Sequence, residues 1–475
     1  MTQQDQLTTV GSLPKETPSA GSLPTVLTRL VWLLWVATLG VLGVRVATGE
    51  SPSLAGVIAV DGLTVVMWVA VTFFSGIVHS YSRRYLADHD RVDRFFATVF
   101  GFTLIVMVLV AANHIALFAL AWVAMGLAMA ELIGHVKGWP QAQAAASVAR
   151  RYFLASGGLL AVALGVLWSS TGATTVSGIN AAAETVPQTL WLVAAGALLL
   201  AAMIQSALVP FHTWLLASMT APTPASALMH AGFMLLVVAV GAASALLGKL
   251  LKSVQADIKS QLGCSTVGQM GFMIMQAGLG FFGAAITHLV LHGFYKAYQF
   301  LSSGDAVTQT TPTATAAKPR SLTAVGFVVT VLTALAGGVL FAALTGKGTS
   351  LDTGLLLALL VVLTTLHATR NALAQTSVAA STRYGLIPLV FLPAIAVYAA
   401  SYNAITSVMG ESMLVSAPAE LTALHALVAV AFVVAYAAIE TGLYQHSQKL
   451  YVALLNATQP PSSTTLTSTE DYNEY

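Results

Sequence analysis

The sequence predicts an all-α protein, a polytopic transmembrane helical bundle in which some helices are broken. Of the 475 residues, 57% are hydrophobic and only 8% are charged, whereas soluble domains carry roughly 25% charged residues. Apolar stretches also recur along the whole chain, each close to the roughly 20 residues that a helix needs to cross a bilayer. Such a chain cannot bury its apolar side chains inside a water-soluble globule, so lipid must cover part of its surface.

Composition and motifs exclude several classes of function. A net charge of +2 provides no electrostatic footprint for nucleic acid. A single cysteine, Cys264, rules out an intramolecular disulfide, an iron–sulfur cluster and a cysteine-rich zinc site. The sequence contains no phosphate-binding loop, dinucleotide fingerprint, haem ligand pair or HExxH motif. We therefore expect a transporter subunit rather than an enzyme, with no catalytic residues, no metal site and no cofactor.

The chain divides into a bundle and two polar ends. Residues 1–25 and 459–475 are rich in Ser and Thr, a composition typical of disordered tails. Residues 26–458 form the predicted bundle. Apolar length predicts about thirteen spans within it, at 26–48, 54–78, 95–112, 115–134, 152–169, 190–209, 225–247, 261–279, 282–301, 322–344, 351–367, 386–402 and 421–443.

Basic residues predict the orientation in the membrane. Lys and Arg lie in the connections that follow the second and fourth spans, whereas the connections near 113–114 and 171–188 carry none. Short basic loops remain in the cytoplasm. We therefore expect a cytoplasmic N-terminus and a multi-pass protein of the cell's inner membrane.

Prolines predict a broken helix in the middle of the chain. Pro210 ends one apolar stretch, and Pro222 and Pro224 precede the next. Proline removes a backbone donor and disrupts a helix. Non-helical backbone at membrane depth persists only where it is buried in protein or lines a wet cavity, and transporters place binding sites at such breaks. The alternative is an ordinary loop between two spans.

The most informative stretch is 282–301, in which His288, His292 and Lys296 recur every four residues. Steps of four keep all three side chains on one face of a helix, and cations at membrane depth face the protein interior or water. Imidazole both donates and accepts near neutral pH, and a desolvated lysine can release its proton. The spacing therefore predicts a proton relay. The alternative is a set of polar residues that only hydrogen-bond helices together.

Further candidates extend this relay. His230 follows the prolines and fits either packing or relay, and Lys259 fits either a relay or an anchor that reaches to interfacial water. Glu131 and His135 lie four residues apart, so they can touch on one helix, as a proton entry or as a simple interface pair. Asp61 opens the second span and is predicted to cap it.

Five segments together resemble one known family, the large antiporter-like subunits of respiratory complex I and of Mrp sodium/proton antiporters (the NuoL type). They occur in the family's order from about residue 55 to 307. The resemblance implies an antiporter-like broken-helix fold in which interior lysines, glutamates and histidines carry protons between half-channels. The segments are DGLTVVM (61–67), YSRRYLADHDRVDRFFA (81–97), VPFHTWLLASMTAPTPASALMHAGF (209–233), VQADIKSQLGCSTVGQMGFM (254–273) and HLVLHGFYKAYQFLSSGDAV (288–307).

Departures from the family pattern narrow the choice of branch within the family. A glutamate of the family would fall at Val123, and a lysine at Gln205. The family's later Phe-x-x-Lys-Asp/Glu pattern has no clear counterpart between Leu322 and Ser350. With these losses the chain looks more like the DabB membrane subunit of the DAB inorganic carbon pump, which implies a DabA-like, zinc-dependent, carbonic-anhydrase-like partner.

The function that this resemblance implies is a proton-conducting membrane subunit of an energy-coupled inorganic carbon (CO2/bicarbonate) uptake complex. One alternative is a proton-translocating subunit of complex I (NADH–quinone oxidoreductase) or of an Mrp-type cation/proton antiporter. Another is a non-conducting membrane anchor for a peripheral partner. One further departure bears on transport: only 26 residues separate His230 from Asp257, where the family typically has one more membrane segment.

Overall fold

The computed structural model describes residues 22–49, 53–54, 56–87, 91–217, 236–255, 257–304, 324–350, 352–375, 380–410, 423–440 and 447–458. Apart from one short hairpin and a 3-10 turn at Ala183–Thr185, these residues form helices joined by turns. The helices are α1 (Ser22–Thr48), α2 (Gly62–Tyr85), α3 (Val92–Ala111), α4 (Ile115–Ile133), α5 (Pro140–Thr171), α6 (Val176–Ala181), α7 (Gln188–Gln205), α8 (Thr213–Ala217), α9 (Leu236–Ser253), α10 (Ile258–Gly278), α11 (Phe282–Gly304), α12 (Ala324–Thr345), α13 (Thr353–Gln375), α14 (Ala380–Met409), α15 (Ala423–Glu440) and α16 (Gln448–Thr458).

The predicted all-α class is confirmed, and each of the thirteen predicted stretches overlaps one long helix. Within the described ranges, eight helices are long and apolar enough to cross a membrane, namely α1 to α5, α7, α12 and α14. The total number of crossings therefore stays a prediction. The first part of the predicted span 225–247 and both polar tails lie outside the described residues.

The predicted start of the second span is wrong. The strands β1 (Ser53–Leu54) and β2 (Ile58–Ala59) pair antiparallel before the helix begins. Gly56 turns the chain between them with a φ of +71°, a conformation that glycine adopts without steric cost. Asp61 then caps α2 by accepting a hydrogen bond of 2.8 Å from the Thr64 amide, as the sequence predicted. Apolar residues in the hairpin made this stretch resemble the beginning of a span.

Aromatic residues fill the core of the first half of the bundle. Phe95, Phe96 and Phe102 of α3 are almost fully buried together with Phe153 of α5. Trp214 of α8 lies edge-on to Phe153, with 4.7 Å between ring centroids. The short α8 is thereby fixed against α5, which places the break that precedes it inside protein.

Glycines bring the backbones of α9 and α10 into contact. A Cβ added to Gly248 would lie 2.3 Å from the Gly268 amide nitrogen, and one added to Gly241 would lie 2.6 Å from the Gly271 carbonyl oxygen. Small residues permit this close approach of membrane helices, where van der Waals packing drives association. The position of α10 is therefore set largely by α9.

Two contacts establish which helix ends lie together. The Tyr81 hydroxyl near the end of α2 donates to the Leu301 carbonyl near the end of α11. Gly62, at the start of α2, packs against Met409 at the end of α14. Because Arg83, Arg84 and Arg94 also lie at the Tyr81 end, we call that end of the bundle the basic face, and the other end the opposite face. Helix α11 therefore runs from the opposite face to the basic face, and α10 runs the other way.

The glycine contact between α9 and α10 gives a first prediction. Replacing Gly248 with Ala should lower the thermal unfolding temperature in detergent, because the new methyl group must displace backbone, a strain of about 1–3 kcal/mol. Gly196→Ala in α7 is the matched control, since its Cβ meets nothing within 4 Å. Equal unfolding temperatures for the two variants would contradict the contact.

Candidate functional site

The polar stripe of α11 faces α10. His288, His292 and Lys296 lie on successive turns of α11, and the partners of His288 and Lys296 are on α10. The imidazoles of His288 and His292 are 5.7 Å apart, edge to face. The structure therefore places the three side chains along one face, turned toward protein, as the helical spacing predicted.

Two glutamines hold His288. Its Nε2 lies 2.8 Å from Oε1 of Gln269, and its Nδ1 lies 3.2 Å from Oε1 of Gln276. A protonated imidazole donates from both nitrogens, whereas a neutral one donates from one and accepts at the other. Rotation of one glutamine amide exchanges its oxygen for its NH2 group and so satisfies the neutral ring as well. His288 therefore has hydrogen-bond partners in either charge state.

Sequence reasoning missed these two glutamines. Gln269 and Gln276 are seven residues apart on α10, and seven residues make almost two full turns of an α-helix, so both amides project from one face. This seven-residue spacing is the feature of the sequence that could have identified the two glutamines. Gln276 is only 2% exposed, and a buried amide needs a partner.

Lys296 is buried beside the start of α10. Only 5% of the residue is exposed, and its Nζ donates a hydrogen bond of 2.9 Å to the Leu262 carbonyl oxygen. The Phe300 ring centroid lies 5.9 Å from Nζ. Within the described residues the structure shows no carboxylate paired with this ammonium. The proton on Lys296 is therefore held by a neutral carbonyl and a ring face rather than by a counter-charge.

The steps between the three groups are longer than a hydrogen bond. One turn of helix separates His288 from His292 and His292 from Lys296, a rise of about 6 Å for four residues. A single water molecule spans such a distance and bridges two polar groups well. The stripe can therefore transfer protons only where water enters between its members.

The other predicted relay residues lie at the edges of this arrangement or outside it. Lys259 is half-buried in the first turn of α10, one turn before Leu262, and so lies toward the basic face. Asp257 caps the same helix by accepting from the Ser260 amide at 2.7 Å. His230, Pro222 and Pro224 lie outside the described residues.

The helix is interrupted around Pro210. Helix α7 ends at Gln205, Ala207 has a left-handed φ of +52°, and α8 begins at Thr213. Backbone groups freed by the break have partners: the Trp214 indole donates to the Ile204 carbonyl at 2.8 Å, and the Val209 amide donates to the Ser244 hydroxyl of α9 at 3.3 Å. Protein contacts therefore hold the interruption, and its position at membrane depth stays a prediction.

The prediction that Glu131 and His135 share one helix is wrong. Helix α4 ends at Ile133 with Gly134 as its C-cap, so His135 lies beyond the helix and packs edge-on against Phe95, 5.2 Å between ring centroids. Glu131 instead pairs through one oxygen with Arg94 at 2.8 Å and with Lys137 at 3.0 Å. The glycine cap is the reason that the four-residue spacing does not apply.

Apolar packing occupies the place where the family pattern has a glutamate. Val123 of α4 lies so close to α5 that a Cβ added to Gly157 would approach its Cγ2 to 2.6 Å. At the family's lysine position, Gln205 ends α7, and its buried Oε1 has no hydrogen-bond partner among the described residues. Partly or fully buried ionisable groups lie on several later helices of the described chain, among them Lys249 of α9, Lys296 of α11 and His367 of α13.

Comparison with known proteins identifies the family. A model described as NADH:quinone oxidoreductase/Mrp antiporter, transmembrane region, matches residues 112–382, and a model for the N-terminus of complex I chain 5 matches residues 53–96. The first match covers more than half of the chain. The chain belongs to the NADH:quinone oxidoreductase/Mrp antiporter family. It is therefore an antiporter-like, multi-pass membrane subunit, and the α10–α11 stripe lies within the matched region.

Curated relatives come from two branches of this family. The chain is 35% identical over 298 residues to a probable inorganic carbon transporter subunit, DabB1, of Halothiobacillus neapolitanus, covering 55% of this chain and 53% of that protein. It is 32% identical over 275 residues to NADH-quinone oxidoreductase subunit L of Mycobacterium tuberculosis, covering 52% and 43%. The chain thus spans about half the length of the curated relatives it matches.

Solved structures share the fold at low identity. The Mrp complex from Dietzia sp. DQ12-45-1b matches 93% of this chain and 51% of the compared chain, with a TM-score of 0.53 and 22% identity. The archaeal membrane-bound sulfane sulfur reductase matches 92% and 93%, with a TM-score of 0.56 and 13% identity. These matches support the antiporter-like fold that the resemblance implied.

The glutamine contacts of His288 give a second prediction. Gln269→Leu should lower the thermal unfolding temperature, because it leaves a nitrogen of the partly buried His288 imidazole without a partner, a cost of about 1–3 kcal/mol. Gln299→Leu is the matched control, since the Gln299 amide donates to the Tyr295 hydroxyl on the exposed side of α11. A Gln269 variant as stable as the Gln299 variant would contradict the contact.

Proposed function

We propose that this chain is the proton-conducting membrane subunit of an energy-coupled inorganic carbon uptake complex. The observation that carries the proposal is the stripe of α11, in which Lys296 is buried and bonds to α10, His288 bonds to two glutamines of α10, and His292 packs against His288. Ionisable groups at membrane depth are costly and mark ion or proton pathways. In this proposal protons pass along Lys296, His292 and His288, with water between successive groups.

Hydrogen bonding supports transfer rather than storage of protons. His288 keeps its partners whether it is charged or neutral, because the glutamine amides can rotate. Lys296 lacks a described carboxylate that would fix its charge. Neither group is therefore tied to one protonation state, which is the property that a relay requires.

The ends of the pathway are proposed from position. Lys259 lies near the basic face, one turn before Leu262 on α10, and would connect the stripe to water on that side. Glu131 and His135 lie at the same face and are proposed as an entry, with Arg94 and Lys137 holding the Glu131 carboxylate. His230, with Pro210, Pro222 and Pro224 at the broken helix, is proposed to complete the central relay. The basic face is proposed to be cytoplasmic, in the cell's inner membrane.

The coupling to inorganic carbon rests on similarity. Relatives named as probable inorganic carbon transporter subunits occur in Halothiobacillus neapolitanus at 35% and 34% identity and in Bacillus subtilis at 34%. In this proposal the partner is a DabA-like, zinc-dependent, carbonic-anhydrase-like subunit. Hydration of CO2 to bicarbonate belongs to that partner, and proton flow through this chain makes the hydration directional.

A second candidate function is a proton-translocating subunit of complex I or of an Mrp antiporter. It is favoured by the 32% identity to NADH-quinone oxidoreductase subunit L and by the Mrp complex as a structural neighbour. The partner that co-purifies with the chain distinguishes the two candidates. A zinc-containing, carbonic-anhydrase-like protein supports carbon uptake, whereas subunits that carry flavin and iron–sulfur clusters contradict it.

Removal of the ionisable groups gives a third prediction. In proteoliposomes containing the chain with its native partner, Lys296→Met and His292→Ala should each reduce proton flux by about tenfold or more. Removal of either group leaves a gap of two helical turns, about 12 Å, between its neighbours in the stripe, and one water molecule cannot bridge that distance. The measurement is the decay of a pH gradient, followed with an entrapped dye.

Lys449→Met is the matched control for this experiment, because Lys449 lies exposed on α16, away from the stripe. It should leave flux unchanged. Full flux in both stripe variants would overturn the relay and would favour a non-conducting membrane anchor.

A further inference from the structure

An apolar groove lies between α12, α13 and α15. Its volume is about 580 Å³, within the range of roughly 300–1,000 Å³ that is typical of ligand sites. The described residues that line it are all Leu, Val, Ala or Gly, and none of them belongs to α11. Helices α12 and α15 both pack against α13, and the groove is the space between them. It is therefore separate from the proposed relay.

The floor of the groove belongs to the protein core, whereas its rim is open. Leu356 of α13 is only 3% exposed and packs in the same core cluster as Phe341 of α12. At the rim, Val339 of α12 is 70% exposed and Leu355 of α13 is 41% exposed. Helix α12 is also long and apolar enough to cross a membrane. An occupant therefore enters sideways, from the lipid that surrounds a membrane subunit.

The shape of the groove favours a hydrocarbon chain over a helix. Its lining runs from Leu335 on α12 to Gly348 in the turn that follows. Over a length of about 15 Å, its volume corresponds to a mean cross-section of about 40 Å². A helix with its side chains is roughly 10–12 Å wide and so needs roughly 80 Å² or more. An extended acyl chain fits this space, and a partner's helix does not.

The turn that closes one end of the groove carries a cation. Gly348 has a φ of +83°, and a Cβ added to it would lie 2.7 Å from the Ala358 Cβ, so this turn rests on α13. Lys347 precedes Gly348 and is half-buried. Asp352 caps α13 by accepting from the Gly354 amide at 2.7 Å. A lysine beside an apolar surface can extend its ammonium toward the phosphates of lipid headgroups.

The closed end of the groove lies at the opposite face of the bundle. The Asn403 side chain of α14 donates a hydrogen bond of 2.8 Å to the Leu344 carbonyl near the end of α12. Helix α14 ends at Met409, which packs against Gly62 at that face. A phospholipid with its phosphate at Lys347 would thus extend its chain along α12 toward the middle of the bundle. The cation and the apolar groove therefore lie in the order that a phospholipid requires.

We propose that this groove binds one acyl chain of a phospholipid whose phosphate contacts Lys347. The lipid fills the space between α12 and α15 and completes the packing of the second half of the bundle. The chain contributes apolar contacts along the groove, and the lysine selects lipids that carry a phosphate. This site does not depend on proton conduction.

The test is photo-crosslinking of the chain with its native partner in vesicles of phosphatidylethanolamine and phosphatidylglycerol. A small fraction of the phosphatidylethanolamine carries a diazirine near the end of one acyl chain, and mass spectrometry maps the labelled peptides. Labelling of the groove residues should exceed that of α1, a helix with many exposed residues, by about fivefold. Ala426→Phe should lower groove labelling about fivefold, because Ala426 is an exposed residue of α15 that lines the groove.

Ala343→Phe is the matched control, since Ala343 is exposed on α12 and does not line the groove. It should leave labelling unchanged. Equal labelling of the groove and of α1 overturns the proposal, because it indicates only the lipid that surrounds any membrane protein. Unchanged labelling in Ala426→Phe overturns it as well. Absence of groove labelling in the complex also overturns it, because a segment of the partner then occupies the groove.

A second comparison tests the phosphate contact. A diacylglycerol with the same diazirine chain and no phosphate should label the groove several times less than the phospholipid, and Lys347→Gln should remove that difference. A diacylglycerol that labels the groove of the parent chain as strongly as the phospholipid overturns the contact with Lys347. A Lys347→Gln chain that still prefers the phospholipid overturns it too.

Discussion

The cost of placing ionisable groups in hydrocarbon governs this structure. Lys296, His288 and His292 lie on α11, which the sequence predicts to cross the membrane, and there each must find polar partners within protein or water. The partners come from α10, whose Leu262 carbonyl accepts from the ammonium and whose glutamines hold His288. Helix α10 can serve in this way because glycines bring its backbone into contact with α9. The glycine contact therefore supports the polar interface indirectly.

Much of this arrangement could be predicted from the sequence, because it follows from periodicity. Apolar length predicted the helices, and a spacing of four predicted the shared face of α11. What the sequence did not reveal depends on tertiary contacts or on local turns. The partners of His288 were missed because glutamine carries no charge to draw attention to it. His135 was placed on α4 although Gly134 ends that helix, and the second span was started too early because the hairpin before Asp61 is itself apolar.

The departures from the family pattern indicate which helices of this chain could carry protons. Val123 packs against Gly157 of α5 at the place where the family pattern has a glutamate. Gln205 ends α7 as a neutral amide beside the break at Pro210. Partly or fully buried ionisable residues are retained on α9, α10, α11 and α13. If the chain conducts protons, the pathway must pass through these later helices rather than between α4 and α7.

The central claim is that the α11 stripe faces water inside the protein, and thiol accessibility tests it most directly. Because Cys264 is the single cysteine, a Cys264→Ser chain provides a background in which one new thiol can be studied at a time. Thiols react as thiolates, which form in water and not in hydrocarbon. A cysteine at position 292 should react rapidly with a small charged methanethiosulfonate reagent in vesicles, and a cysteine at the outward-facing position of Phe294 should react slowly. Slow reaction at 292, equal to that at 294, would contradict a hydrated stripe.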